Sequence, residues 1–316
     1  MERLTLIQVS DILQLIEGFC EDCRLRNMTT ESIRRYRSCL TIFACYLNSK
    51  GSKIEDVNKW VLKDFLYHIR FDHQAKHKTV ENYFSAISSF YEYLIFEEIL
   101  DLNPVPSFRK RFVRSYKDDS KDSERKLLTV EEMSLLVNSI LDPRDKAIAT
   151  VFAKTGIRRN ELLNLDVGSI NWVEYSITLK PTPKRSTRVV PFDDECAIVL
   201  KRWLKTREKL NPSTKALFVS YQSLRRLDRN GLYVAMVKYA EKLGFHDPDS
   251  DLLEDHFGPH CFRHWLTTWL RRNGMPREFI KELRGDRRKE AMDIYDHIDP
   301  EELKHAYLAF IPKLGI

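Results

Sequence analysis

The chain has 316 residues, and this length predicts two domains of ordinary size, each with its own core. The formal net charge of +6 is compatible with an anionic partner but does not single one out. No stretch approaches the roughly 20 apolar residues of a membrane span, and the six scattered cysteines are typical of free thiols in a reducing compartment. We therefore expect a soluble protein of the cytoplasm with no membrane association.

The first third of the sequence is predicted to be helical, because apolar residues recur at helical spacing in four segments. These segments begin near Val9, Thr29, Val57 and His77. Pro104 and Pro106 end the pattern, so we expect a helical domain over residues 1–108. Residues 109–126 contain eight Lys or Arg and four Asp or Glu with almost no apolar periodicity, which predicts a basic, solvated linker.

The remainder, residues 127–316, is predicted to form a second domain. Thr129 and Glu132 match a capping box at the start of its first helix. One strand–turn–strand segment stands among the helices, since Tyr175–Leu179 alternates in polarity and Thr187–Phe192 is rich in β-branched residues. The expected fold class is therefore mainly α with a small antiparallel β-sheet (α+β).

Two segments of this second domain carry groups suited to phosphate chemistry. In TGIRRNELLNL, Gly156 ends one helix and places Arg158 in the first turn of the next, where Glu161 can brace that turn. In GPHCFRHWLTTWL, His260 and Arg263 lie three residues apart and therefore on one face of a helix. An arginine offers a fork of donors to a phosphate, and an imidazole exchanges protons near neutral pH.

A metal site is the alternative for the second of these segments. His256, His260 and His264 recur every four residues, a spacing that can chelate a metal. Neither a cysteine cluster nor an H-E-x-x-H pattern accompanies them, and Arg263 would place a cation beside the metal. We therefore expect no metal site and no other cofactor.

A third segment, LRGDRRKEAMDIYDHID, contains a single tyrosine, Tyr295, two residues before His297. An ordinary amphipathic tyrosine and an active-site nucleophile are both compatible with this position. The tripeptide Arg284-Gly285-Asp286 matches a cell-adhesion motif, but that function requires an extracellular protein, and the cysteine usage argues against one.

Together the three segments resemble the boxes of the tyrosine recombinases, the phage-integrase family. TGIRRNELLNLDVGSI is similar to the family's first arginine box, HCFRHWLTTWLRRNG to its H-x-x-R box, and FIKELRGDRRKEAMDIYDHI to the closing box that carries the tyrosine. The order and spacing agree, since Arg158 precedes His260 by about a hundred residues and Tyr295 follows Arg263 by about thirty. Within the family, the closing segment looks most like that of integrases from archaeal viruses and plasmids.

The resemblance implies a reaction and a set of roles. Tyr295 would attack a DNA phosphodiester and form a 3′-phosphotyrosyl link, with no metal or nucleotide cofactor. Arg158 and Arg263 would stabilise the charge that develops on the phosphate oxygens. His260 would act in proton transfer or donate a hydrogen bond to the same phosphate.

The family also uses a lysine on the turn between two strands as general acid for the leaving 5′ oxygen. Lys184, near the tip of that turn, is the first candidate, and Lys180, at the end of the first strand, is the second. Most members have a histidine or tryptophan where this chain has Asp286. A carboxylate repels a phosphate, so we expect Asp286 to orient Arg263 or Lys184 by ion pairing, or to cap the following helix.

The implied function is site-specific recombination of double-stranded DNA at inverted-repeat sites, on the nucleoid, by a tetramer that exchanges C-terminal segments. The apolar stripe of Leu303, Tyr307, Leu308 and Ile311 suits such an exchanged helix, and it suits a helix folded back on its own domain equally well. A type IB-like topoisomerase and a DNA-binding architectural or regulatory protein without catalysis are the alternative functions.

Overall fold

The computed structural model describes residues 9–114, 126–181, 188–250, 252–286 and 298–316. The chain divides into two compact units, Met1–Asp119 and Ser120–Ile316, and each has a hydrophobic core of its own. The described residues are mainly helical, with one three-stranded antiparallel sheet in the second unit. This confirms the predicted fold class.

The first unit is helical throughout its described elements. Its helices are α1 (Val9–Leu25), α2 (Thr30–Ser49), α3 (Lys59–Tyr67), α4 (His77–Phe96) and α5 (Val105–Phe108). Thr29 caps α2, because its hydroxyl accepts a hydrogen bond from the Ser32 N–H. Cys20 and Cys23 are fully buried free thiols in the core, where they act as small apolar residues.

The predicted linker begins inside this helical unit. Arg109–Val113 form a π-helical turn that continues α5, and Val113 is buried in the core of the first unit. Residues 115–125, which make up most of the predicted linker, lie outside the described residues.

The second unit combines helices with the small sheet. Its helices are α6 (Val130–Ser139), α7 (Pro143–Thr155), α8 (Arg159–Leu163), α9 (Asp194–Leu210), α10 (Arg229–Lys242), α11 (Pro259–Arg272), α12 (Arg277–Arg284) and α13 (Pro300–Phe310). The predicted capping box opens α6, since Thr129 and Glu132 each accept the other's backbone N–H. Helix α7 packs against α9 and α11 and is buried from Arg144 to Thr155 except at Lys146, so it forms the centre of this unit.

The sheet has the order β1 (Ile170–Asn171), β2 (Ser176–Leu179), β3 (Arg188–Pro191). Strand β2 begins one residue later than predicted because Tyr175 has a positive φ of 47° and belongs to the preceding turn. Leu179 stands opposite Arg188, so the two strands meet where the lysine turn leaves the sheet. That turn, including Lys184, falls in residues 182–187, outside the described residues.

The C-terminal segment folds back on its own unit in this structure. Tyr307 of α13 is fully buried, and its hydroxyl donates to the Lys154 carbonyl at 2.9 Å. Beyond the helix, the Leu314 carbonyl accepts a hydrogen bond from Ser134 Oγ at 2.6 Å. Of the two arrangements that the apolar stripe allows, the structure therefore has the helix on its own domain. No helix in the described parts of the chain is both long and apolar enough to cross a membrane.

Candidate active site

The first arginine box forms a tight connection between α7 and α8. Gly156 ends α7 in the left-handed conformation, with φ of 59°, and Arg158 occupies the N-cap position of α8. Glu161 Oε2 accepts the Arg158 backbone N–H at 2.7 Å, and Glu161 Oε1 lies 3.3 Å from Arg158 Nη1. Glu161 thus braces this turn, as the sequence predicts, and holds the backbone and the side chain of Arg158 together.

Arg263 points into the protein from α11. The helix is anchored by Trp265, which is fully buried, and by Trp269, whose indole N–H donates to the Leu128 carbonyl at 3.1 Å. The Arg263 guanidinium is buried and donates from Nη1 to the Gly156 carbonyl at 2.9 Å. The second box is therefore fixed directly to the turn that carries the first.

The carbonyl oxygen of Arg284 brings three arginines together. It ends helix α12 and accepts hydrogen bonds from Arg263 Nη2 at 2.7 Å, Arg188 Nη1 at 2.8 Å and Arg158 Nη1 at 3.1 Å. The free carbonyls at the C-terminus of a helix carry partial negative charge, which favours cations at this position. One backbone atom thus sets the positions of three guanidinium groups.

The tripeptide Arg284-Gly285-Asp286 forms the turn that places a carboxylate beside the arginines. Gly285 takes the left-handed conformation, with φ of 57°, and reverses the chain after α12. Asp286 Oδ1 then lies 3.4 Å from Arg263 Nη2 and 3.5 Å from Arg158 Nη2, while Oδ2 lies 2.8 Å from Arg284 Nε. Asp286 is therefore within ion-pairing distance of both Arg263 and Arg158, and its role in orienting Arg263 stays a prediction.

We call the set of four arginines and two carboxylates the arginine cluster. Its members are Arg158, Arg188, Arg263, Arg284, Glu161 and Asp286. Burial, together with the neighbouring charges of Arg158, Arg284 and Arg188, lowers the pKa of Arg263 to about 9, and the charge of Asp286 opposes this shift. The Arg263 guanidinium remains a cation at neutral pH. An incoming anion would stabilise this charge, which burial and the neighbouring cations disfavour.

Arg188 and Arg284 are members of the cluster that were not predicted as site residues, and Arg188 had the weaker signal. Its Nη2 donates to Glu161 Oε2 at 3.1 Å, in addition to the bond from Nη1 to the Arg284 carbonyl. The only signal in the sequence is an arginine at the start of an otherwise apolar strand, RVVPF. Nothing in that pattern identifies its partners, which lie 27 and 96 residues away along the chain.

Of the three remaining predicted site residues, His260 is the one that lies within the described part of the chain. His260 lies in the first turn of α11, three residues before Arg263, and its side chain is exposed. Its ring meets the ring of His264 edge to face, with centroids 4.8 Å apart. Tyr295 and Lys184 lie outside the described residues.

Lys180, the second candidate for the general acid, belongs to another ion network. Its Nζ lies 2.6 Å from Asp166 Oδ2, and Arg226 Nη2 lies 2.5 Å from the other oxygen of the same carboxylate. Hydrogen bonds from Lys180 and Arg226 lower the pKa of Asp166, so this carboxylate is charged near neutral pH and holds both cations.

Of the three histidines considered for a metal site, His256 contacts groups outside the set. His256 Nε2 lies 2.7 Å from the Ser250 carbonyl, and its ring contacts that of His246. Within the residues that the structure describes, no group of three or more His, Cys, Asp or Glu side chains is arranged to hold a metal ion.

Both units match models of one protein family. Residues 11–112 match the phage integrase SAM-like domain, and residues 126–302 match the phage integrase family itself. The chain is 27% identical to tyrosine recombinase XerC of Oceanobacillus iheyensis over 310 residues, which cover 94% of this chain and 96% of the relative. Identity to tyrosine recombinase XerD of the same organism is 25%, over 94% of this chain and 98% of that one.

Solved structures share the fold at lower sequence identity. The XerH site-specific recombinase bound to palindromic difH substrate, in its post-cleavage complex, superposes with a TM-score of 0.67 at 19% identity, over 95% of this chain and 84% of XerH. A λ integrase dimer bound to a core site gives a TM-score of 0.66 at 15% identity, over 91% and 98% of the two chains. Since the family model spans more than half of its length, the chain belongs to the phage integrase family of tyrosine site-specific recombinases.

Proposed function

We propose that this chain breaks and rejoins double-stranded DNA at inverted-repeat sites through a covalent link to Tyr295. The observation that carries the proposal is the convergence of Arg158 and Arg263, from two distant boxes, on the Arg284 carbonyl and on Asp286 Oδ1. Four guanidinium groups face two carboxylates in this cluster, so its net charge is positive. A phosphodiester is an anion that two such forks of donors can hold on its non-bridging oxygens.

The proposed reaction conserves the energy of the phosphodiester bond. The Tyr295 oxygen attacks phosphorus, a P–O bond to tyrosine forms, and the bond to the 5′ oxygen breaks. The tyrosine proton leaves to a nearby base, for which His260 is our candidate, and Lys184 protonates the departing 5′ oxygen. Attack by a 5′-hydroxyl on the phosphotyrosine reverses these steps and rejoins a strand.

Arg158 and Arg263, which we call the arginine pair, supply the electrostatic stabilisation in this scheme. In the transition state, negative charge accumulates on the non-bridging oxygens, and prearranged cations stabilise it without reorganisation. Burial of Arg263 strengthens this effect, because a charge in poorly solvated surroundings interacts more strongly with an anion.

Asp286 is proposed to orient the arginine pair rather than to contact the phosphate. Its Oδ1 faces one Nη2 of each arginine at 3.4 and 3.5 Å, distances that leave both groups able to turn toward a stronger acceptor. A phosphate oxygen would take over these donors, and Asp286 would keep its contact with Arg284 Nε. In this role a carboxylate can stand where most members of the family have a hydrogen-bond donor.

The domain assignment follows from the same proposal. Residues 1–108, with the helical turn Arg109–Val113 that packs on their core, would bind DNA as the core-binding domain, the rest of the predicted linker up to residue 126 would join the domains, and residues 127–316 would carry catalysis. The positions of the two family matches and the division into two compact units support this assignment. Both domains would contact the same duplex, with phosphate contacts supplying most of the affinity.

The assembly and the biological role are finer points of the proposal. We propose a tetramer on DNA, as the family resemblance implies. Chromosome-dimer resolution is the alternative biological role. The predicted likeness to integrases of archaeal viruses and plasmids has no support among the relatives named XerC and XerD and stays a prediction. The palindromic difH substrate of XerH supports an inverted-repeat site for this chain.

The test is to trap and sequence DNA that becomes covalently joined to the chain. Cells that express the protein are lysed in denaturant, protein-linked DNA is recovered, and the joined nucleotide is mapped. The recovered site is then built into a nicked duplex from which the cleaved 5′ end diffuses away. We expect a covalent adduct on a denaturing gel, and none with Tyr295→Phe. Adduct formation by Tyr295→Phe, or none by the wild-type chain on any recovered DNA, would contradict the proposal.

The same experiment separates the alternative functions. A type IB-like topoisomerase would relax supercoiled plasmid without site preference, and its covalent products would map to many sequences. An architectural protein without catalysis would bind the DNA and give no adduct. We expect adducts at one inverted-repeat sequence.

A further inference from the structure

Arg188 joins three segments of the catalytic unit through one guanidinium group. It is the first residue of β3, and its side chain is only 10% exposed. Nη1 donates to the Arg284 carbonyl at the end of α12, and Nη2 donates to Glu161 on α8. The strand that leaves the lysine turn is therefore tied to both segments that hold the arginine pair.

The backbone is shaped to admit this side chain. A Cβ atom on Gly285 would overlap with Arg188 Nη1, and Gly285 also has the positive φ that other residues rarely adopt. The approach of Arg188 to the Arg284 carbonyl thus depends on the absence of a side chain at position 285.

Glu161 couples Arg188 to the first arginine box. Its Oε2 accepts both the Arg158 backbone N–H at 2.7 Å and Arg188 Nη2 at 3.1 Å. Because one carboxylate oxygen holds both groups, a displacement of β3 would be transmitted to the N-cap of α8.

Packing alone does not require an arginine here. Burying a guanidinium costs several kcal/mol in solvation, and an apolar residue of similar volume often serves a core as well. The neighbouring strand residue Val190 shows that apolar side chains are accommodated in β3. The arginine instead directs its two donors to the two segments on which Arg158 and Arg263 depend.

We propose that Arg188 is a positioning residue for strand cleavage, which fixes the strand that follows the lysine turn against the arginine pair. It thereby sets the distance between the proton donor, Lys184, and the phosphate held by Arg158 and Arg263. This inference rests on the proposed function, in which Lys184 protonates the 5′ oxygen.

The test compares two leaving groups at the cleavage site recovered as described above. One nicked duplex has the ordinary phosphodiester, and the other has sulfur in place of the bridging 5′ oxygen. The P–S bond breaks to release a thiolate, which needs no proton because thiols are far more acidic than alcohols. The sulfur substrate therefore bypasses the general acid but still needs the nucleophile and the arginine pair.

We expect Arg188→Gln to slow single-turnover cleavage of the phosphodiester by at least about tenfold, a fraction of the roughly 10²–10⁴ that general acid catalysis contributes. On the sulfur substrate its rate should return to within about threefold of the wild-type rate. Lys184→Ala should give the same pattern with a larger amplitude, and Arg188→Lys should fall between Arg188→Gln and the wild type.

Arg226→Gln is the matched control. Arg226 is also partly buried, donates to the carbonyls of Leu163 and Leu165, and pairs with Asp166, but it lies outside the arginine cluster. We expect it to change the free energy of unfolding about as much as Arg188→Gln does, with no dependence of the cleavage rate on the leaving group.

An equal loss on both substrates for Arg188→Gln, or no loss on either, would overturn the inference. Failure of the wild-type chain on both substrates would instead count against the proposed function. Hydrogen exchange in the free protein tests the inference without DNA: Arg188→Gln and Arg188→Lys should speed exchange in β2, β3 and the end of α12, and Arg226→Gln should not. Unchanged exchange in these segments would also contradict it.

Discussion

Two clusters of charged side chains in the catalytic unit differ in their net charge. The arginine cluster sets four cations against two carboxylates, and the contacts of Asp286 to Arg158 and Arg263 are long, at 3.5 and 3.4 Å. The second, which we call the lysine cluster, consists of Lys154, Lys313, Asp193 and Glu195 and is formally neutral. Lys154 is fully buried, pairs with Asp193 at 2.8 Å and also contacts Glu195.

The C-terminal segment closes the lysine cluster. Lys154 donates to the Pro312 carbonyl at 2.7 Å, and the Glu195 carboxylate accepts the N–H groups of Leu314 and Gly315. A neutral cluster with short hydrogen bonds needs no ligand and serves the fold. A cluster with surplus positive charge and long contacts is suited to receive an anion, at a cost in stability.

The largest effect on stability is expected at the lysine cluster. Lys154→Met would leave Asp193 buried with only the exposed Lys313 as an ion-pair partner. We expect a loss of about 3–5 kcal/mol in the free energy of unfolding, measured in urea, because a buried charge loses its partner. Lys313→Ala, which removes the exposed partner of the same carboxylate, should cost less than about 1 kcal/mol. If folded Lys154→Met lost much of its cleavage rate, the lysine cluster would not serve the fold alone.

Replacing a buried cation of the arginine cluster should mainly lower the rate of strand cleavage. Arg263→Gln is expected to slow single-turnover cleavage by about 10²–10³-fold, as removal of a donor to a transition-state oxyanion does elsewhere. The glutamine is neutral, so this variant leaves no unpaired buried cation, and the unfolding free energy should change less than in Lys154→Met. Arg271→Gln, at an exposed position of the same helix, is the control and should cleave at the wild-type rate. Equal rates for both variants would contradict the role of Arg263.

Asp286 should have a smaller effect, since its side chain is 33% exposed and its contacts with the pair are long. We expect Asp286→Asn to slow cleavage about fivefold, or about 1 kcal/mol, which is typical of a partly solvated ion pair. DNA affinity, measured by titration of a labelled duplex, should rise slightly because a negative charge is removed. Asp286→His is the companion variant. If neither variant changes the cleavage rate, Asp286 does not orient the arginines.

The smallest effect is expected at Lys180, whose ion pair with Asp166 is exposed to solvent. Lys180→Ala should lower the unfolding free energy by less than about 1 kcal/mol and leave the cleavage rate within about twofold of wild type. Lys184→Ala should slow cleavage of the phosphodiester by roughly 10²–10⁴. The reverse pattern would make Lys180 the general acid.

Local signals in the sequence predicted much of the fold and part of the site. The capping box at Thr129, the stop at Gly156 and the brace at Glu161 depend on residues a few positions apart, and each is present in the structure. The short strand β1 was not predicted, because two residues carry no periodicity. The start of β2 was misplaced at Tyr175, whose positive φ depends on a turn that the alternation of polarity does not reveal.

The contacts that assemble the site could not be read from patterns of residue types. The resemblance pointed to Arg158 and Arg263, but the oxygen on which they converge is a main-chain atom of Arg284. Arg188 reaches the same atom over 96 residues, and no spacing rule connects a strand arginine with a helix end. The choice between an exchanged and a folded-back C-terminal helix was likewise open until the partners of Tyr307 and Leu314 were known.

The use of a main-chain oxygen to gather the arginines bears on how such a site can change over time. Every residue at position 284 supplies a carbonyl, so substitutions there or at position 286 leave the common acceptor in place. The side chain at position 286 can then change, with an effect on how the guanidinium groups are oriented, while the oxygen on which they converge is retained. We expect Gly285 to be the least replaceable residue of this turn, because a Cβ atom there would overlap with Arg188 Nη1 and its φ is positive.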